Sequence, residues 1–266
     1  MDKQILKNYL EQGLTNRDIA KITGKGKSTI GYWVRQHELQ NHLKYNKPIY
    51  KDKNFFTKIN TREKAYILGF ILGDGYLTNK EIETTVALED KEVLDFIQEH
   101  LGGNLRVDKT LNKKQRRYPR ARMVIGENRI VRDLGVLFGG FLKEDRNLPH
   151  ISPKLNKYLL QGFFDAEGCI TWGRRKDRDR IWHKVSFTSQ FGMLEGIQNI
   201  LVDEGIATKI KPKSGGEKCF VMEFSARKDV LRFLDIIYPN DSFVILKRKY
   251  NNAQALRLEL GEFGES

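Results

Sequence analysis

One segment of the chain occurs twice, and this repetition limits the possible folds more than any other feature of the sequence. Residues 65–77, AYILGFILGDGYL, align without a gap with residues 158–170, YLLQGFFDAEGCI. In this alignment Gly69 matches Gly162 and Asp74 matches Glu167. The spacing between the copies is that of a compact structural unit, so the sequence predicts two similar units in tandem.

The same order of patterns follows each copy. A segment that alternates apolar and polar residues is followed by a helical segment, two further alternating segments and a second helical segment. These segments are 81–88, 91–101, 104–110, 120–125 and 129–138 in the first unit, and 184–188, 194–204, 207–212, 219–224 and 228–237 in the second. The pattern predicts an α+β fold in which each unit has an antiparallel sheet.

Small residues stand four positions apart in each copy, Gly69 with Gly73 and Gly162 with Ala166. On a helix this spacing places them on one face, and two such faces can pack backbone to backbone. An acid follows each pair directly, so close packing would bring two carboxylates together. Adjacent carboxylates repel each other unless a cation neutralises them, which predicts a divalent metal site.

The copies ILGFILGDG (67–75) and LQGFFDAEG (160–168) resemble the LAGLIDADG motif of homing endonucleases, and the similarity extends over most of residues 60–255. The resemblance implies two αββαββα units with pseudo-two-fold symmetry. It also implies a monomeric enzyme that cuts both strands of double-stranded DNA at a long, nearly asymmetric site.

The resemblance further implies which residues form the active site. Asp74 and Glu167 would bind Mg²⁺ (or Mn²⁺) at the scissile phosphates, and Gly73 and Ala166 would supply backbone carbonyl ligands. Leu72 stands where the family often has an aspartate, but that position is not the metal ligand.

Family members also place a lysine near each catalytic site. The segment FLKEDRNLP contributes Lys143, and the segment ILKRKYNN contributes Lys247 with Lys249 beside it. We expect Lys143 and Lys247 to be the catalytic lysines, although a surface lysine is more often only a solvated charge.

Residues 3–38 resemble the helix-turn-helix of resolvase-like and small regulator domains, and we assign residues 1–39 to this module. Thr15 and Asp18 resemble a capping box at the start of the second helix. Ile5, Leu6, Tyr9 and Leu10 in the first helix, Ile19, Ala20 and Ile22 in the second, and Ile30, Trp33 and Val34 in the third fall at helical spacing and predict the core. The residues expected to reach DNA from the third helix are Lys27, Ser28, Thr29, Tyr32 and Arg35.

A basic segment at 40–60 reads as a linker, followed by the two units at 61–150 and 151–266. The formal net charge of the whole chain is +13, which favours a polyanionic partner. Matched basic runs fall at matched positions in the two units and predict DNA-binding ribbons. The contacts expected there are Arg116, Arg117, Arg120, Arg122, Arg174, Arg175, Arg178, Lys211 and Lys213.

The two cysteines cannot build a disulfide framework or a four-thiolate zinc site. The longest strongly apolar run, 65–73, is too short to span a bilayer, and the amino terminus lacks the apolar region of a secretory signal. We therefore expect a protein that stays inside the cell and has no membrane partner.

Three other readings remain open. Asp74 with Glu89, Asp90 and Lys91 mimics a PD-(D/E)xK nuclease site, which would need these residues on strands. A second reading is a non-catalytic DNA-binding regulator that keeps the scaffold, and loss of the acids would indicate it. A third is an RNA maturase whose partner is the host intron RNA. The five histidines are scattered and form no HNH-like cluster.

Overall fold

The computed structural model describes residues 1–12, 14–39, 49–110, 118–174, 181–213, 219–239 and 243–262. The chain forms two compact units, residues 1–49 and residues 50–266. None of the helices described within these ranges is long and apolar enough to cross a membrane.

The described part of the first unit contains three helices, as the sequence predicted: α1 (Lys3–Glu11), α2 (Asn16–Thr23) and α3 (Lys27–Gln36). The capping box is present, because the Thr15 hydroxyl accepts a hydrogen bond from the Asp18 amide and the Asp18 carboxylate accepts one from the Thr15 amide, both at 3.1 Å. Gly24 then ends α2 in the left-handed conformation at φ 64°.

The core of this unit is smaller than the sequence suggested. The buried apolar side chains described in it are Leu6, Leu10, Ile19, Ile30 and Val34. Ile5 and Ile22 were expected on the apolar faces, but they are 52% and 56% exposed. Helices α1 and α3 pack on the Ile19 side of α2, and neither of them covers the opposite side.

The linker predicted at 40–60 is wrong at its carboxyl end. Phe55 and Phe56 are 5% and 1% exposed and belong to the core of the second unit, and Tyr50 forms a β-bridge with Gly102. The second unit therefore begins at residue 50. Residues 40–48 lie outside the described residues.

The second unit contains the predicted αββαββα order twice. The first half comprises α4 (Arg62–Asp74), β1 (Tyr76–Leu77), β2 (Ile82–Ala87), α5 (Lys91–Leu101), β3 (Asn104–Asp108), β4 (Arg120–Ile125) and α6 (Asn128–Phe138). The second half comprises α7 (Asn156–Glu167), β5 (Gly168–Arg174), β6 (Ile181–Ser189), α8 (Phe191–Asp203), β7 (Lys209–Pro212), β8 (Phe220–Phe224) and α9 (Arg227–Ile237), followed by α10 (Lys247–Glu262).

Each half has an antiparallel four-stranded sheet, in the order β1-β2-β4-β3 and β5-β6-β8-β7. In β4, Ala121, Met123 and Ile125 are buried, whereas Arg120 and Arg122 are exposed. This alternation places one face of the sheet against helices and turns the other outward, which we call the outer face. The α+β class predicted from the sequence is confirmed.

Helices α4 and α7 pack against each other at the centre of this unit, and every residue of α4 from Ala65 to Gly73 is buried. A Cβ added to Gly69 would lie 2.1 Å from the carbonyl oxygen of Leu159, and one added to Gly162 would lie 2.0 Å from that of Tyr66. The two backbones therefore touch where the glycines lie, as the small-residue spacing predicted.

Candidate functional site

The two repeated acids lie at the contacting ends of the central helices. Asp74 is the last residue of α4 and Glu167 is the last residue of α7. A Cβ added to Gly73 would lie 2.5 Å from the Cβ of Ala166 and 3.1 Å from the Cγ of Glu167. The close helix packing therefore continues to the acids and brings them to one place, as the sequence predicted.

The surroundings of Asp74 favour its protonated form. Loss of solvation, followed by the negative charge of Glu167, raises the pKa of this carboxyl to about 6, and the charges of Lys143 and Lys249 act in the opposite direction. Asp74 as a whole residue is exposed to solvent. Protein atoms nevertheless surround its carboxyl group, and this desolvation is the largest cause of the raised pKa. A positive charge arriving beside this pair would relieve its repulsion.

Lys143 contacts the second acid directly. Its Nζ lies 2.6 Å from Oε1 of Glu167, and about half of the lysine side chain is exposed. Lys143 lies in a short 3₁₀ turn, Lys143–Asp145, in the segment that follows α6. The structure therefore brings this predicted lysine to the candidate site.

Lys247 lies elsewhere and pairs with Glu92. Its backbone amide donates to Oε1 of Glu92 at 2.7 Å, its Nζ lies 3.6 Å from Oε2, and its side chain is 74% exposed. Lys249 is the lysine of this segment that turns inward. Its Nζ donates to the carbonyl oxygens of Phe164 at 2.6 Å and Gly168 at 2.7 Å, and burial lowers its pKa.

The sequence could not distinguish these two lysines. They are two residues apart on α10 and therefore point to nearly opposite sides of the helix, so the choice depends on how α10 packs.

The sequence analysis missed Arg146 altogether, because it is one basic residue among many. It is only 2% exposed, and its Nη1 donates to the carbonyl oxygen of Gly75 at 2.8 Å.

A buried carboxyl, also missed, lies two residues before Glu167 on α7. Asp165 is 3% exposed and accepts hydrogen bonds from the hydroxyl groups of Tyr66, at 2.7 Å, and Tyr238. Burial raises its pKa to about 6, although both hydroxyl groups act to lower it. Asp74 and Asp165 line one cavity of about 260 Å³ together with Lys249. Asp165 thus links α7 to α4 through a polar contact inside the core.

The oxygen atoms at the helix ends are of the kind that Mg²⁺ and Mn²⁺ bind. The described residues contain no group of three or more His, Cys, Asp and Glu side chains that could hold a metal ion. A divalent cation at Asp74 and Glu167 would therefore need ligands beyond these two carboxylates, such as water, a substrate oxygen or backbone carbonyls.

Asp74 does not fit the PD-(D/E)xK reading, which needs strand positions. It ends a helix, and Glu89 and Asp90 lie in the 3₁₀ turn Leu88–Asp90 before α5. Both carboxylate oxygens of Asp90 accept hydrogen bonds from Arg248, at 2.9 and 2.7 Å. Asp90 is therefore engaged in an ion pair with Arg248.

The outer faces of the two sheets carry part of the predicted basic ribbons. Arg120 and Arg122 of β4 are exposed there, and Arg122 forms an ion pair with Glu83. In the second sheet Lys211 pairs with Glu223, which also lies 3.3 Å from Lys184. The hydrogen bond from Lys211, followed by that from Lys184, lowers the pKa of Glu223.

Arg174 has a different position from the one expected of a DNA contact. Its Nη2 lies 2.6 Å from Oε2 of Glu259, on the side of β5 where Trp172 donates to Asn252 of α10. The strand alternation therefore turns Arg174 toward α10, away from the outer face. Lys213 is exposed after β7. The predicted contacts outside the described residues are Arg116, Arg117, Arg175 and Arg178.

In the first unit the five predicted contacts share the exposed surface of α3. They are Lys27, Ser28, Thr29, Tyr32 and Arg35. The buried side of the same helix holds Ile30 and Val34, so its two faces have the division that the sequence predicted.

A family model for a LAGLIDADG-like domain matches residues 155–238. Among solved structures, the I-LtrWI LAGLIDADG homing endonuclease bound to target DNA is similar in fold, with a TM-score of 0.51 and 13% identity over 79% of this chain and 91% of that one. The LAGLIDADG homing endonuclease I-GzeII in complex with DNA target has a TM-score of 0.51 and 9% identity, over 74% of this chain and 90% of that one. The LAGLIDADG meganuclease I-AabMI bound to uncleaved DNA has a TM-score of 0.50 and 15% identity, over 73% of this chain and 88% of that one.

No curated protein sequence is significantly similar to the chain. The fold is that of the LAGLIDADG homing endonucleases, built from two αββαββα halves in one chain. Within that fold, the segment that matches the LAGLIDADG-like domain model, residues 155–238, includes Glu167.

Proposed function

We propose that this protein is a site-specific endonuclease that uses divalent metal to cut both strands of double-stranded DNA. The observation that carries the proposal is the meeting of Asp74 and Glu167 at the contacting ends of α4 and α7. Two equivalent halves that each contribute one acid suit a duplex with two strands, so each carboxylate would serve one strand. A single chain supplies both halves, which supports action as a monomer.

Asp74 and Glu167 would hold Mg²⁺ or Mn²⁺, with the carbonyl groups of Gly73 and Ala166 as further candidate ligands. The fit rests on the approach of the two carboxylates at the contacting helix ends, where desolvation and then the charge of Glu167 raise the pKa of Asp74. A bound divalent cation would neutralise charge on the scissile phosphate and lower the pKa of an attacking water. Lys143 already contacts Glu167 and would stabilise negative charge at that side of the site.

The remaining surface supports a long nucleic-acid contact. Exposed arginines and lysines lie on the outer faces of both sheets, and the exposed face of α3 carries hydroxyl, aromatic and basic side chains. The net charge of +13 acts in the same direction. The three solved structures similar in fold are described as complexes with DNA, which favours double-stranded DNA over intron RNA as the partner.

Incubation of the purified protein with a plasmid library carrying randomised inserts tests the proposal. We expect linear product with Mg²⁺ and none with EDTA, and sequencing of the cut ends identifies the site. Calcium serves as a second cation for comparison, because it takes more ligands in a looser geometry than Mg²⁺. Selective retention of some inserts with no cutting in any divalent metal would instead establish a DNA-binding regulator.

A further inference from the structure

The end of α4 is held by an arginine from outside the helix. Arg146 is buried and donates from Nη1 to the carbonyl oxygen of Gly75 at 2.8 Å, and from Nη2 to that of Phe141 at 3.2 Å. Gly75 directly follows Asp74, and its own amide donates to Ile71 at 2.8 Å. The guanidinium therefore fixes the backbone immediately after the first acid.

The end of α7 is held by a lysine in the corresponding way. Lys249 donates to the carbonyl oxygens of Phe164 and Gly168, and its ammonium group lies 5.2 Å from the centre of the Phe164 ring. Gly168 directly follows Glu167 and matches Gly75 in the repeat. Each acid is thus followed by a glycine whose carbonyl group accepts a hydrogen bond from a cation.

Both cations contact carbonyl groups at the carboxyl end of a helix. The last carbonyl groups of a helix have no partner within it, and a cation near them is stabilised by the helix dipole. In each half the cation comes from the segment that follows the last helix of that half, after α6 for Arg146 and after α9 for Lys249. The sequences FLKEDR and ILKRKY align so that Arg146 matches Tyr250, which explains why the repeat alone does not reveal the pair.

We propose that Arg146 and Lys249 are positioning residues, each of which holds the end of one acid-bearing helix and so controls the cutting of one DNA strand. The inference rests on the proposed endonuclease function. Neither residue needs to touch DNA for this role. Arg146 acts on Asp74 through Gly75, and Lys249 acts on Glu167 through Gly168.

The test compares Arg146→Met and Lys249→Met with Lys228→Met as the control, because Lys228 is exposed on α9 and belongs to none of the predicted metal, catalytic or DNA contacts. Cutting of each strand is followed separately on a duplex labelled on both strands. We expect each variant to slow one strand at least about tenfold through kcat, with opposite strand preference in the two variants, since small displacements of catalytic groups cost this much or more. Lys228→Met should cut both strands like the wild type.

Amide hydrogen exchange gives a second readout that does not require cutting. Arg146→Met should reduce protection at the end of α4 only, and Lys249→Met at the end of α7 only. Arg146→Lys keeps the positive charge but loses the second donor group of the guanidinium. It should restore part of the cutting rate and part of the amide protection at the end of α4, and it replaces Arg146→Met in the test if that variant does not fold. Equal slowing of both strands, or unchanged exchange at both helix ends in folded variants, would overturn the inference. Absence of cutting by the wild type would overturn the proposed function, and exchange would then decide the helix-end role alone.

Discussion

Asp74 has a pKa of about 6, first because its carboxyl is desolvated and second because Glu167 places a negative charge at the end of the neighbouring helix. The two acids are therefore coupled, although they lie on different halves of the repeat. Glu167 is balanced by Lys143 at 2.6 Å, so the two halves of the site differ in charge.

Replacing Glu167 with Gln should lower the pKa of Asp74, because one of the two main causes of its elevation disappears while the desolvation remains. A carbon-13 NMR titration of the Asp74 carboxyl in both proteins measures this directly. Only the deprotonated form holds a metal ion, so cutting by the wild type should also fall as the pH drops through about 6. An unchanged Asp74 titration in the variant would show that the acids are not coupled.

Gly69→Ala and Gly162→Ala should each destabilise the second unit by about 3 kcal/mol or more, since the added methyl group would meet backbone at 2.1 and 2.0 Å. Backbone atoms of a packed helix cannot move aside as the end of a side chain can. Gly261→Ala is the matched helical control, because nothing lies within 4 Å of its added Cβ. Urea unfolding compares the three variants, and equal stability of all of them would contradict the close approach of α4 and α7.

Asp165→Asn should change the pH dependence of stability. The folded-state pKa of Asp165 is raised to about 6 from 3.8, so its contribution is complete below the unfolded pKa and falls as the pH rises through the folded one. That loss amounts to about 3 kcal/mol for this buried group. The stability difference between wild type and variant should therefore become less favourable to the wild type between about pH 4 and about pH 7. Urea unfolding of both proteins at about pH 4 and about pH 7 measures this change. A stability difference that is the same at both pH values would contradict the raised pKa of Asp165.

Arg35→Ala should weaken DNA binding by about 1–3 kcal/mol and remove protection at one end of the footprint. The exposed position of Arg35 on α3 supports contact with the groove. Arg17→Ala is the matched control, because Arg17 is exposed on α2. Footprints of the three proteins on the identified site provide the measurement. Full protection at both ends with Arg35→Ala would remove the first unit from the DNA-binding surface.

The repeat made the fold and the acid pair predictable, because the spacing of the small residues and the acid after the second small residue of each copy are visible along the chain. Gly69, Gly162, Asp74 and Glu167 lie where that pattern predicted. The strands that directly follow the acids, β1 and β5, were implied by the family resemblance, but the alternation of apolar and polar residues did not predict them. The first is only two residues long, and the second carries Arg174 on the side that packs against α10.

The polar residues around the acids were harder to predict, since their roles depend on packing between distant segments. Lys249 and Lys247 differ only in which side of α10 faces the core. Arg146 is buried although arginine is usually exposed, and Asp165 finds its partners in Tyr66 and Tyr238, far away in the sequence. Such contacts have no periodic signature.

The most direct test of the central claim uses Asp74→Asn and Glu167→Gln on the DNA site that the wild type cuts. Both substitutions keep the shape of the side chain and remove its charge. Binding in EDTA should stay within several-fold of the wild type, while Mg²⁺-dependent linearisation should be lost in both variants. Cutting at the wild-type rate by either variant would contradict the assignment of these two carboxylates as the catalytic pair.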